Sequence, residues 1–432
     1  MNFNLVEMYN GLLRFNKHIL NELAEGLKHL PNLDGVSKGD SLIINEQGNP
    51  AWGSTAFIPT FENAAYGLVP PLDGSDGDVG VRVPEFYMCV KDTGTKYQLW
   101  ISDFNIDGTF TRVHPFIISH TKTMTRTRED GKEEVFSACI KHDDTRYLGG
   151  NKSSSIVATK LQGRPRTDIT YDKANEFCTN RGDWITMIDY LEYCALQALC
   201  YIEYANFDNQ AALNTNLTSD GFKQGGLGAG VTNLDWDRWT AFNGNNPIVQ
   251  TYWTAEHNIG NGSTNGDHYE LGNYNVDGSN LNTYPAVYRG ILNFFGDIWT
   301  FIRDVAIINR NVNYNSVYLL KKSVNHSDIT IDNIQDKCYF IGDQANTNNF
   351  ITEFDFRFGP YFVPNKVGTN KKADHNWKKD NDGQDTDKAV RVLLLGGNAH
   401  YGSKAGSGDF HSDWVRSASH ANVGFFTTVK LD

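Results

Sequence analysis

Between residues 3 and 30 the apolar side chains Leu5, Tyr9, Leu12, Ile19, Leu23 and Leu30 recur at alternating steps of four and three, interrupted at Asn16 and Gly26. That period predicts an amphipathic helix with a narrow seam, and Leu13, Leu20 and Leu27 add a second heptad-spaced row beside it. Such a face suits self-association, a trimer ahead of a dimer, or packing on its own domain; Pro31 ends the helix. The stretch GDSLIINEQGNPAWGS (39–54) then reads as a β-hairpin: a compact strand at Leu42, Ile43 and Ile44, a turn over Gln47 to Pro50, and a second start at Trp52. Residues 59–80, rich in Pro, Gly and Asp, read as a linker.

Beyond Val81 the pattern changes to strand-like runs (EFYMCV, YQLWISDF, FTRVHPFIIS, EVFSACI, SSSIVATKL), followed by the recurrence of two successive helices over Tyr171 to Ala205, divided near Asn180 to Asp183. Helices set among strands predict an α+β domain over 81–432, preceded by an attachment module (1–58) of helix and hairpin neck. Polar stretches near 206–283 and 320–390 read as insertions, with 365–388 as an exposed loop.

Charge and composition narrow the function. A formal net charge of -12 leaves no broad basic surface for phosphate neutralisation, which argues against nucleic acid as a partner. No apolar run of the length needed to span a bilayer occurs, and the N-terminus lacks a basic-then-apolar signal, so neither membrane insertion nor host secretion is expected. The six cysteines (Cys89, Cys139, Cys178, Cys194, Cys200, Cys338) form no ligand-like pair and read as reduced core residues.

Motifs that suggest metal or phosphate chemistry are incomplete. DFNIDG (103–108) has calcium-loop spacing, but His114 stands at the twelfth position where a bidentate carboxylate is needed, so a hairpin turn is the expectation. GFKQGGLGAG (221–230) lacks the Gly-Lys-Ser/Thr ending of a phosphate loop. His400, His411 and His420 are spaced by eleven and nine, unlike any zinc motif. No metal site and no cofactor is assigned; structural calcium stays open without a location.

Three landmarks, in order, resemble the formylglycine-generating-enzyme-like branch of the C-type lectin fold, which includes phage tropism determinants and the variable proteins of diversity-generating retroelements. RTDITYDKANEFCTNRGDWITMIDYLEYCALQALCYIEYANFDNQ resembles the helical segment ending in an "EYA" run, here Glu203, Tyr204 and Ala205. YRGILNFFGDIWTFIRDV (288–305) resembles the core strand, with Gly290, Gly296, Ile298, Trp299 and Phe301 at matching positions. LLLGGNAHYGSKAGSGDFHSDWVRSASHANVGFFTTVKL (393–431) resembles the closing unit through Gly396, Gly397, Asn422, Gly424 and Phe425. Phe426 stands where the family usually has arginine, and His400 replaces an expected aromatic.

The resemblance implies a large insertion-bearing C-type-lectin-like domain whose structural core includes Gly290, Gly296, Trp299, Gly396, Gly397, Asn422, Gly424 and Phe425. It also implies an outward-facing contact surface at His400, Tyr401, Asp409, Phe410, His411, Trp414 and Arg416, where aromatic planes and charged edges suit a host glycan or protein. The same residues, Trp414 above all, equally suit packing beneath the insertions. The family's oxidase activity needs a thiolate pair near the C-terminus, and no cysteine follows Cys338, so a non-enzymatic protein is expected. The helix and hairpin look like attachment regions of phage fibres and head fibres, most like those of the crAss-like phages. The expectation is therefore a virion protein made in the host cytoplasm, a homo-oligomeric head fibre or capsid decoration subunit that meets other virion proteins through its N-terminus. A tail-tip receptor-binding adhesin is the alternative.

Overall fold

The computed structural model describes residues 73–139, 165–204, 209–212, 271–369, 374–378, 389–398 and 404–431 apart from single residues or pairs within them, plus Tyr401 and the short strands Leu42–Ile43, Thr55–Ile58 and Tyr147–Leu148. The expected N-terminal helix with Leu5, Tyr9, Leu12, Ile19, Leu23 and Leu30, most of the 206–283 insertion, Asp103 and His400 lie outside them.

The protein is mostly β, with few helices, where an α+β balance was expected. The elements that position the site are β1 (Asp78–Val83), β2 (Phe116–Ser119), α1 (Tyr171–Arg181), β3 (Ile185–Met187), α2 (Tyr190–Tyr204), β4 (Trp299–Asn311), β5 (Tyr314–Leu320), β6 (Cys338–Ala345), β7 (Asn349–Asp355), β8 (Val363–Gly368), β9 (His375–Trp377), β10 (Arg391–Leu395), β11 (Phe410–Val415), β12 (Val423–Gly424) and β13 (Thr427–Lys430). One five-stranded sheet runs β3, β13, β2, β1 and then Thr55–Ile58. A nine-stranded sheet runs β6, β5, β4, β10, β11, β9, β7, β8, with β12 alongside β4. Its outermost strands draw together, so that a Cβ on Gly342 in β6 would lie 3.2 Å from Val363 in β8, and the sheet is nearly closed.

Of the predicted hairpin (39–54) only Leu42–Ile43 lies among the described residues; it pairs in parallel with Tyr97–Ser102, and the following strand Thr55–Ile58 pairs antiparallel with β1. Each short strand completes the open backbone edge of a longer one, which local turn chemistry cannot foretell. Residues 338–368, inside the second expected insertion, supply β6, β7 and β8 of the large sheet.

The helices follow from local chemistry. Thr170 caps α1 by accepting the Lys173 N–H at 3.1 Å, and Gly182, at φ +147°, ends it by donating its N–H to the Cys178 carbonyl. α1 buries Tyr171, Ala174, Phe177 and Cys178, one face of the period, whereas α2 buries apolar residues all round and is a core helix. Between them Ile185–Met187 forms a strand rather than a turn. All six cysteines are buried, and burial pushes the Cys338 thiol up to about 11 and the Cys178 thiol up to about 12, away from thiolate chemistry.

The segment after β2 is tied to the loop before β4 by an ion pair that excludes water: Lys122 Nζ donates to Asp297 Oδ1 at 2.6 Å and to the Asn293 carbonyl at 2.5 Å, both side chains being 0% exposed. The ammonium also lies 4.8 Å from the Phe426 ring centroid, so one cation joins three distant segments. Burial pulls the lysine pKa down and the aspartate pKa up, and each partner opposes the shift of the other.

Removing one partner strands the other charge in a dry site, so Lys122→Met is expected to cost about 3–5 kcal/mol in urea unfolding, and Lys122→Met with Asp297→Leu to recover most of it. A double variant no more stable than the single one would show that the pair is not what holds the segments. His120 and His326 are buried and their pKa values are pulled down to about 4, first by desolvation. Their ordinary value is about 6.5, so between that pH and about 4 the unfolded chain binds protons that the folded one refuses. Stability should therefore fall as pH drops through this window, and His120→Gln should flatten the fall of the melting temperature; an unchanged profile would exclude this histidine as the cause.

Candidate recognition face

The last strands of the large sheet carry a row of aromatic rings. On β11 the burial alternates: Phe410 points into the main core, His411 is half-buried on the other side, and Ser412 is buried again. Strict alternation would place Trp414 opposite His411. The register between β10 and β11 shifts between the pairs Leu394–His411 and Val392–Trp414, and with this bulge the two rings meet at 6.2 Å between centroids. From His411 the row continues to Trp299 at 5.1 Å, to Tyr401 at 6.1 Å, to Trp377 at 4.3 Å and to His375 at 4.1 Å.

Trp377 enters through β9, which pairs in parallel with β11 so that Trp377 faces His411 in register. The strand is fixed from below. Buried Asn376 donates to the carbonyls of Ala345 and Thr347 at 3.0 and 2.9 Å and accepts from Gln344 at 2.7 Å, while Ser412 donates to the Trp377 carbonyl at 3.2 Å. The Trp377 indole donates to Asp409 Oδ1 at 2.9 Å, and Lys404 places its ammonium 5.2 Å from the same ring. Trp377, Tyr401, His411 and Trp414 are half-buried, whereas Trp299 and His375, which complete the row, are buried. Burial pulls His411 down to about 4 and His375 down to about 3, so both rings are neutral near pH 7 and the row offers stacking faces.

The residues expected to contact a partner therefore divide. Tyr401, His411 and Trp414 belong to the row. Arg416 is drawn to the side, paired with Asp172 of α1 at 3.0 Å, its carbonyl accepting the Tyr171 N–H. Asp409 and Phe410 are 0% exposed and cannot meet a macromolecule; they build the floor. Asp409 Oδ2 has no hydrogen-bond partner, and burial, reinforced by Asp374, pushes this carboxyl well above the usual carboxylate range. Trp377 and Lys404 were not foreseen. The short pattern HNW, one aromatic between charged runs, was the available signal, and it reads as loop.

The expected core residues lie under this face. Trp299 is buried and its N–H donates to the Asn422 carbonyl at 2.7 Å, while β12 runs parallel to β4 with Val423 opposite Trp299 and Gly424 opposite Thr300. Phe425 is buried, Gly290 and Gly296 take positive φ, and the Gly296 N–H donates to the Gly396 carbonyl at 2.8 Å. Gly397, at φ +66°, passes so close to Ala405 and Asp409 that a Cβ would lie 2.6 Å from each. Among the described residues no group of three or more His, Cys, Asp or Glu is placed to hold a metal.

No protein-family model matches the chain, and no curated protein does. Among solved structures, the U1 variant of the Major Tropism Determinant aligns at 10% identity over 80% of this chain and 72% of its own, with a TM-score of 0.23. The M1 variant aligns at 11% identity over 88% and 82%, with a TM-score of 0.25, and the I1 variant at 11% over 88% and 83%, with 0.26. Superpositions at this level are remote similarities and carry no weight for what this chain binds.

Gly397→Ala should destabilise the protein by on the order of 2–4 kcal/mol in denaturant unfolding, combining left-handed backbone strain with the clash. Gly94→Ala, at φ +88° with nothing within 4 Å of a Cβ, is the control and should cost about 1–2 kcal/mol. Equal losses would mean that the close approach beneath the aromatic row contributes nothing.

Proposed function

We propose that this chain is a non-enzymatic structural protein of a bacterial virus, a head fibre or capsid decoration subunit that displays a C-type-lectin-like β-scaffold for adhesion to a host surface glycan or protein. The observation that carries the reading is the half-open row of neutral aromatic rings mounted on a hydrogen-bonded floor. Rigid rings lose little conformational freedom on binding, and their edges and faces suit both sugar rings and side chains. The motif resemblance in the last third of the sequence supports the lectin-like part of the reading. Raised, buried thiols fit a role without redox chemistry. The N-terminal helix would join the chains, three rather than two, and anchor them to other virion proteins, with no cofactor required.

A tail-tip adhesin uses the same row and differs only in its place on the particle. Immunogold labelling should put the protein around the capsid; label confined to the tail would replace the first reading with the second. In either case purified protein should adsorb to host cells, with Trp377→Ala and Trp414→Ala each weakening adsorption by about tenfold or more. Tyr339→Ala, which removes a 61% exposed ring on β6, should leave it unchanged. Full adsorption by both tryptophan variants would remove the aromatic row from the adhesive surface.

A further inference from the structure

Three carboxyl groups gather at the start of α2. Asp189 and Glu192 cap the helix reciprocally: the Glu192 N–H donates to Asp189 Oδ1 at 2.9 Å, and the Asp189 N–H donates to Glu192 Oε2 at 3.0 Å. Between them, the Tyr190 N–H donates to Asp304 Oδ1 of β4 at 2.8 Å. Asp189 and Glu192 are buried, and Asp304 is half-buried.

Two cations face these three carboxyls. Lys430 of β13 donates to Asp189 Oδ2 at 2.8 Å, and Arg303 of β4 lies 3.6 Å from the same oxygen while it is also attracted by Asp304 and Glu192. Thr428 of β13 donates its hydroxyl to Glu192 Oε2 at 2.8 Å. Fully ionised, the cluster would hold one more negative charge than positive with little water between the carboxylates, which would repel one another. Retaining one proton removes that repulsion. Burial first, then Asp189, pushes Glu192 up to about 8 and Asp304 up to about 6.

The surrounding groups leave the proton to the carboxyls. Tyr171, Tyr190, Cys194 and Tyr361 all interact with Asp304, and burial raises each of them, so they stay protonated near neutrality. At the rim of the adjoining cleft His114, Asp183 and Lys322 are exposed, and half-buried Lys321 donates to the Asp336 carbonyl at 2.6 Å.

We propose that the junction of α2, β4 and β13 is a proton-dependent clasp, closed while the three carboxyls share one proton and loosened when alkaline solution removes it. The sign follows from the two states. In the opened junction a carboxyl returns to its ordinary value of about 4, whereas the closed one keeps its proton up to about 8. The stabilisation is therefore complete below the ordinary carboxylate range and is lost as the pH rises through about 8. α2 also carries Tyr193 and Tyr201, whose hydroxyls donate to the Ser407 carbonyl at 2.8 Å and to Asp374, next to His375 of the aromatic row. The clasp thus steadies the helix behind that row, and it stands whether or not the row is adhesive.

The test is hydrogen exchange of the segment 186–193 in the full chain between about pH 6.5 and 9, above the range in which the buried histidines act, corrected for the intrinsic rise of exchange with pH. Protection should drop by up to about tenfold per pH unit to about pH 8 and then level, as the release of one proton requires. Glu192→Gln keeps an acceptor for the Asp189 N–H and removes the titrating group, so its protection should be nearly independent of pH in this range. Lys430→Met removes an exposed counter-ion and should move the fall to higher pH, because the carboxyls then hold their proton more tightly. Flat protection in the unaltered chain, an unchanged slope in Glu192→Gln, or a fall that Lys430→Met leaves in place or moves to lower pH would each overturn the proposal. Should Glu192→Gln fail to fold, the direction of the Lys430→Met shift decides.

Discussion

The dry contact between Lys122 and Asp297 sets the terms for the rest of the molecule. Two full charges without solvent are tolerable only when geometry is close and the remaining donors are used, and both conditions are met through the Asn293 carbonyl and the Phe426 ring. The contact locks the approach to β4, whose first residues pair with β10 on one side and β12 on the other. Everything displayed at the aromatic row is built outward from that strand, so positional precision at the surface is inherited from a charge pair in the core.

The aromatic row is held from beneath by hydrogen bonds of Asn376, Gln344, Ser412 and Trp377, while Asp409 Oδ2, His375 Nδ1 and His411 Nδ1 are buried beside it without a hydrogen-bond partner. The rings are thus fixed by their neighbours' backbone and amide groups, and the polar atoms left over lie inside the fold, where solvent cannot satisfy them.

The sequence disclosed features whose causes are local. The capped helix after Thr170, the largely apolar helix at Tyr190–Tyr204 and the buried Trp299 beside a turning glycine follow from spacing and residue type. What escaped it depends on distant partners. The pairing of Leu42–Ile43 is decided by a strand more than fifty positions away. The burial of Phe410 follows from its pairing opposite Leu395 of β10, and the gathering of Trp377 with Tyr401 follows from a parallel neighbour that no local pattern announces. A polar segment between charged runs looks like loop until a sheet edge receives it.

The position of β13 has a consequence for how the chain matures. Thr427–Lys430 lies between β3 and β2, in the interior of its sheet and not at its margin. During synthesis, Phe116–Ser119 therefore waits with one side of its backbone bare until Lys430 has left the ribosome, some three hundred residues later. The domain is thus obliged to close after translation has passed its last strand, and a ribosome that stops early yields a sticky β-edge in place of a smaller folded protein.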